Sequence, residues 1–154
     1  MKTILFVCTA NMCRSPMAEG LMQAKLKREK LDGEFRAESA GVWTDDGNAA
    51  TELAVKVMAD RAIDIGGHRS RVVTEAMVRD AALVLTMTRS HAEALCAEFP
   101  AYRNKVHLLS EMMGGTSDVE DPVGGTLQQY EMSAQDLENM IERGFQHMMR
   151  LANQ

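Results

Sequence analysis

Cys8 and Arg14 are separated by five residues in the run Cys8-Thr9-Ala10-Asn11-Met12-Cys13-Arg14-Ser15, and the pair suits the chemistry of a phosphate ester. A loop wrapped over a helix N-terminus offers its backbone N–H groups to an anion, and the positive end of the helix dipole adds to the attraction. The same field favours the thiolate, the nucleophilic form, of a cysteine at the base of the cradle. Arginine presents a planar fork of donors that grips two phosphoryl oxygens at once, a geometry lysine lacks. Ser15 can donate a hydrogen bond to the sulfur and ease its departure from a phosphocysteine. Taken singly, Cys8 reads as a packing cysteine and Arg14 as a surface charge. Their joint spacing, with an apolar run before and a helix start after, favours the chemical reading. The Gly-x-x-x-x-Gly-Lys pattern of a nucleotide-binding loop is absent.

Such a loop needs a strand to deliver Cys8 and a helix to receive Arg14. Residues 3–8 form a continuous apolar run, suited to a strand covered on both faces. Ser15-Pro16 reads as an N-cap followed by a first-turn proline, so a helix is expected directly after Arg14. Leu21, Met22 and Leu26 give it an apolar side, and Gly33 ends the segment in a turn. Further strands are expected over 35–40, 82–87 and 106–109, and helices over 48–63, 74–80 and 90–98. Ser133 with Asp136 resembles a capping box that starts the last helix. Its apolar face follows in Leu137, Met140, Ile141, Phe145, Met148 and Leu151. This alternation of strands and helices implies an α/β fold with a parallel sheet under helices. The 13 methionines read as core filler. Residues 114–129 form the longest stretch without periodicity, and long irregular loops are usually functional or mobile.

At 154 residues the chain is expected to be one domain, 1–154, that folds without disulfide or metal. The net charge of −5 is spread along the chain, which excludes the basic stripe that nucleic-acid binding relies on. One small basic cluster, Arg69 and Arg71 beside His68, is suited to a mouth that receives anions. The first apolar run is too short for a secretory h-region and is interrupted by Asn11 and Arg14, and no stretch is long enough to span a bilayer. The expectation is a cytoplasmic protein with Cys8, Cys13 and Cys96 reduced, and with neither nucleic acid nor membrane as a partner.

Several separated motifs together resemble the low-molecular-weight protein tyrosine phosphatase family. They are the Cys8 to Ser15 loop followed by Pro16-Met17-Ala18-Glu19, then Ser39-Ala40-Gly41, His68-Arg69-Ser70-Arg71 and Asp121-Pro122. The likeness covers nearly the whole chain. It implies a four-stranded parallel sheet with helices on both faces, a phosphate-binding loop between the first strand and first helix, and no metal or organic cofactor. It also implies a phosphorylated protein as substrate, with inorganic phosphate or a similar oxyanion held by Thr9, Ala10, Asn11, Met12, Cys13, Arg14 and Ser15. Cys8 is then the nucleophile, Arg14 the phosphate clamp, and Asp121 the acid that protonates the leaving group and later activates water. By itself, an Asp-Pro pair reads only as a turn. Asn11, Ser39 and His68, with Ser15, resemble the set that holds the loop in shape. Cys13 resembles a redox partner able to form a disulfide with Cys8 under peroxide, whereas Cys96 reads as packing. A monomer is the default.

The group delivered to Cys8 stays open between two side chains. Val123, Gly124 and Gly125 follow Asp121-Pro122 where tyrosine-directed members usually place aromatic residues, and Thr88 stands where many carry an acid. That pattern resembles the bacterial branch that includes protein arginine phosphatases. The branch is associated with threonine in mid-loop, however, and this chain has Met12. An apolar Met12 suits an aromatic ring better than a guanidinium, whose N–H groups need partners. Trp43 reads either as an aromatic wall or as core. The balance favours phosphotyrosine, with phosphoarginine as the alternative. A thiol-based arsenate reductase would need a further relay cysteine, for which only Cys96 remains, and a binding module without turnover would have no use for both Cys8 and Asp121.

Overall fold

A computed structural model describes residues 1–154. Its first strand, β1 (Lys2–Cys8), is buried from Thr3 onward, and its side chains divide between two cores. Ile4, Phe6 and Cys8 enter the larger cluster, and Leu5 and Val7 enter the smaller one on the opposite face. Strand side chains alternate between faces, so a continuous apolar run is what a strand covered on both sides requires. Each such side chain contributes about 1.5–3 kcal/mol on burial.

The remaining elements follow in the order α1 (Arg14–Arg28), β2 (Phe35–Gly41), α2 (Glu52–Ala59), α3 (Glu75–Asp80), β3 (Leu83–Thr86), α4 (Arg89–Glu98), β4 (Val106–Leu108) and α5 (Leu127–Ala152). Two short 3₁₀ segments, Pro100–Lys105 and Leu109–Met113, flank β4. The four strands are all parallel in the order β2-β1-β3-β4, with Cys8 opposite Gly41 and Val7 opposite Thr86. The larger core joins α1, α2 and α5 to one face, and the smaller core joins α3 and α4 to the other. The expected α/β sheet with helices on both faces is therefore present. Strand order reverses around β1, and the carboxyl end of a strand at such a switch point is where this architecture leaves a crevice. Cys8 is that end.

Element bounds differ from expectation where polar side chains are claimed by other partners. α1 is preceded by Cys13 with no side-chain cap, so Ser15 is not an N-cap. α1 stops at Arg28, before Gly33, and Lys30 turns the chain at φ 59°. α2 is half the predicted length. On its N-terminal side Asn48 exchanges hydrogen bonds with Ser70, and Thr51 N–H donates to the Met12 carbonyl at 3.0 Å. On its C-terminal side Ala62 sits at φ 59°. The last helix starts six residues before Ser133, because Thr126 and Gln129 form the capping box. Ser133 lies within α5, where its hydroxyl donates to the Glu120 carbonyl at 3.3 Å. Leu137, Met140, Ile141, Phe145 and Met148 are buried as expected, and Leu151 is half-buried. Eight methionines, among them Met17, Met58 and Met148, lie in the core. No helix is long and apolar enough to cross a membrane.

Candidate active site

The loop between β1 and α1 turns its carbonyls outward. Those of Cys8, Thr9, Met12 and Cys13 accept from Val42, Trp43, Thr51 and Met17. None of the N–H groups from Thr9 to Cys13 donates to a protein acceptor. Buried N–H groups are nearly always paired, so a run of free donors at a helix N-terminus is a ready site for an oxyanion.

Asn11 is the keystone under the loop. It is fully buried and holds φ 58°, a left-handed conformation that asparagine tolerates better than most residues. Its Nδ2 donates to Ser15 Oγ at 2.8 Å and Ser39 Oγ at 2.9 Å. Its Oδ1 accepts from Arg71 N–H at 3.0 Å, and its carbonyl accepts from His68 Nε2 at 2.7 Å. The Ser39 hydroxyl in turn donates to Glu19 Oε1 at 2.6 Å. Ser15 Oγ, already accepting from Asn11, lies 2.9 Å from Cys8 Sγ and donates to the sulfur when Cys8 is a thiolate. Gly41 is required here: a Cβ on it would approach the Thr9 carbonyl to 2.6 Å.

Arg14 is a buried guanidinium. Nη1 donates to the Val119 carbonyl at 3.0 Å, and Nη2 donates to Thr9 Oγ1 at 3.3 Å and lies 3.5 Å from Asp121 Oδ2. Asp121 Oδ1 accepts from Val123 N–H at 3.0 Å, which turns the carboxylate toward the loop. The segment carrying Asp121 is fastened on its N-terminal side. Val119 N–H donates to the Met87 carbonyl at 2.9 Å, and Asp118 accepts from Arg89 N–H at 2.9 Å.

Above the loop lies a cavity of about 310 Å³ lined by Cys8, Thr9, Ala10, Met12, Cys13, Arg14, Trp43, Asp121 and Val123. Of the loop residues expected to hold phosphate, Asn11 and Ser15 place their side chains beneath this cavity instead of in it. Trp43 is not core: it is 83% exposed, and Val123 is 61% exposed. Arg69 and Arg71 do not line the mouth. Arg71 is committed to Glu38 and the Ser39 carbonyl, and Arg69 to the His68 carbonyl. No group of three His, Cys, Asp or Glu side chains gathers in a metal-binding arrangement.

Three features of the site were not anticipated from sequence. Cys13 Sγ lies 3.4 Å from Tyr130 Oη and 3.5 Å from Thr51 Oγ1, with burial pushing the thiol up from its ordinary value against those two hydrogen bonds. His91 on α4 meets Thr9 across the molecule. Glu19 anchors Ser39. Each joins residues from distant parts of the chain, and only Glu19 lay in a stretch already singled out. Thr88 serves as the N-cap of α4. Cys96 packs with the smaller core, on the other face of the sheet from Cys8 and Cys13.

A thiol at the end of a central strand, beneath free N–H donors and beside a buried guanidinium, gives this α/β protein a site whose geometry suits an oxyanion. Residues 3–153 match the profile of low molecular weight phosphotyrosine protein phosphatases, and the chain belongs to that family. A protein-arginine-phosphatase of Bacillus subtilis is 39% identical over 141 residues, covering 91% of this chain and 92% of that one. The low molecular weight protein-tyrosine-phosphatase Wzb of Escherichia coli K12 is 35% identical over 119 residues, 77% of this chain and 76% of its own. The crystal structure of a low molecular weight protein tyrosine phosphatase from T. tengcongensis superimposes with a TM-score of 0.91 at 39% identity, covering 96% of this chain and 99% of that one.

Proposed function

We propose that this protein hydrolyses phosphotyrosine on proteins through a phosphocysteine. Cys8 Sγ attacks phosphorus, the S–P bond forms as the P–O bond to the tyrosyl oxygen breaks, and Asp121 gives its proton to that oxygen. Arg14 and the loop N–H groups hold the equatorial oxygens, where charge is redistributed in the transition state. Water then attacks phosphorus while Asp121 takes its proton. The S–P bond breaks, inorganic phosphate departs, and Ser15 O–H receives the returning thiolate.

The observation that carries phosphotyrosine is the make-up of the cavity: polar at its base and lined above by Met12, Trp43 and Val123. An aromatic ring gains from such walls, whereas a guanidinium would leave N–H groups facing Met12 without partners. The second reading, phosphoarginine, is favoured by the relation to the B. subtilis protein-arginine-phosphatase and by the Asp121 carboxylate within the same cavity. Phosphotyrosine and phosphoarginine peptides assayed side by side decide between them. The expected result is a higher kcat/KM for phosphotyrosine, with Met12→Thr moving the ratio toward phosphoarginine. A wild-type preference for phosphoarginine would overturn the first reading.

We also propose that Cys13 resolves oxidation of Cys8. Peroxide would convert the Cys8 thiolate to a sulfenic acid, and the Cys13 sulfur would then displace its oxygen as water to close a disulfide. Mass spectrometry after mild peroxide is expected to show a Cys8–Cys13 disulfide. Direct passage of Cys8 to sulfinic acid would refute it.

A further inference from the structure

His91 stands at the third position of α4, where a glutamate or glutamine commonly reaches back to the N-cap N–H. It fills that role through Nδ1, which accepts from Thr88 N–H at 3.2 Å. A backbone N–H only donates, so Nδ1 carries the lone pair and Nε2 carries the hydrogen. That hydrogen is directed at Thr9 Oγ1, 2.9 Å away. The same oxygen accepts from Arg14 Nη2 at 3.3 Å. Both lone pairs of the Thr9 hydroxyl are thereby used, and its own O–H meets no acceptor in the protein. Thr9 lines the cavity together with Cys8, Arg14 and Asp121. His91 itself is 5% exposed.

We propose that Thr88, His91 and Thr9 form a positioning arm that sets the Arg14 fork and aims the Thr9 O–H at a phosphoryl oxygen over Cys8. Arg14 has two anchors that leave the rest of its fork free for phosphate: the Val119 carbonyl from one side and Thr9 from the other. Without the Thr9 oxygen, Nη2 retains only Asp121, the group that must exchange protons during the reaction. His91 keeps Thr9 Oγ1 from rotating away, because the buried imidazole has no other partner for Nε2. Burial and then the Arg14 charge push His91 down to about 4, so the ring stays neutral and the direction of the chain of hydrogen bonds is fixed near neutral pH. The inference rests on the phosphoryl-transfer reading above.

The test separates this role from that of a helix cap. A double-variant cycle does so: His91→Leu removes both the acceptor for Thr88 N–H and the donor to Thr9, and Thr9→Val keeps the shape of the side chain without its oxygen. Thr9→Val is expected to lower kcat/KM on an aryl phosphate, and the affinity for inorganic phosphate by titration calorimetry, roughly ten- to hundredfold. His91→Leu is expected to lower both roughly three- to tenfold but to add nothing in the Thr9→Val background, and Thr9→Ser to restore most of the Thr9→Val loss. Wild-type kcat/KM and phosphate affinity in both Thr9→Val and His91→Leu, or losses that add in the double variant, would overturn the proposal. The phosphate titration needs no turnover. A wild type that hydrolyses no phosphate ester would therefore refute the proposed function while leaving the arm to be judged by binding.

Discussion

Beneath the Cys8–Arg14 loop, every polar atom of the Asn11 side chain is hydrogen-bonded, and its partners Ser15, Ser39 and Arg71 are themselves tied to Cys8, Glu19 and Glu38. Above the loop, Trp43 and Val123 stand largely in solvent, and no side-chain hydrogen bond restrains Met12. The lower side fixes a strained backbone so that N–H groups converge before any anion arrives, which is what pre-organised electrostatic stabilisation requires. The upper side holds almost nothing in place and so is free to vary with the leaving group. On the function proposed above, chemistry and selectivity are thus built by different physics in neighbouring layers. Changes below should cost both activity and stability, and changes above should cost selectivity alone.

The sharpest break of that division is at sulfur. Cys8→Ser is expected to abolish turnover of an aryl phosphate, since a neutral hydroxyl is a weak nucleophile and a poor leaving group. Asp121→Asn should lower kcat roughly 10²–10⁴-fold, and less for substrates whose leaving group needs no proton. Equal rates for wild type and Cys8→Ser would end the mechanism. One layer down, Asn11→Ala removes three side-chain hydrogen bonds and places alanine at φ 58°, leaving buried partners unpaired. A loss of about 2–4 kcal/mol is expected, which for a chain of this length lowers Tm by roughly 5–15 °C. An Asn11→Ala protein with wild-type Tm would show that the network is not what holds the loop.

The lower layer was the more legible of the two in the sequence, and the reason is local spacing. Cys8 and Arg14 lie on one short loop, and the strand before it is apolar throughout, so their joint placement follows from a few residues. Ser39 and His68 come from separate segments and were placed by family likeness, which the geometry joins to Asn11. The start of α5 was misread because two Ser/Thr-x-x-acid/amide patterns compete. The one at Thr126 opens a first turn of exposed residues, while the one at Ser133 precedes the apolar face. The contacts of His91 with Thr9 and of Tyr130 with Cys13 join residues 82 and 117 positions apart, and no periodicity signals such pairs.

His91 gives the lower layer a pH signature. The buried ring holds its proton only below about 4, whereas an exposed histidine titrates near 6.5. Between those values the unfolded chain binds a proton that the folded chain refuses, so stability falls as pH drops from 6.5 toward 4. The full difference is about 3 kcal/mol. Arg14, Asp118 and Asp121 face the ring, and the carboxylates also titrate at the acid end. The comparison is therefore made against His91→Gln, which retains all three. Urea midpoints are expected to decline less steeply between pH 6.5 and 4.5 in His91→Gln than in wild type. Parallel declines would mean that the ring is not held neutral by the fold.

The smallest expected effect probes the upper layer alone. Trp43 is too exposed to support the core, so Trp43→Ala should change stability by no more than about 0.5 kcal/mol. Its ring borders the cavity beside Met12 and Val123, where an offset stack on a substrate ring is worth roughly 0.5–1.5 kcal/mol. For a phosphotyrosine peptide KM should therefore rise roughly two- to tenfold with kcat nearly unchanged, because the stack forms before the transition state and persists in it. Affinity for inorganic phosphate, which does not reach the wall, should stay the same. A fall in kcat or in phosphate affinity would mean that Trp43 supports the loop, and the separation of the two layers would fail at that point.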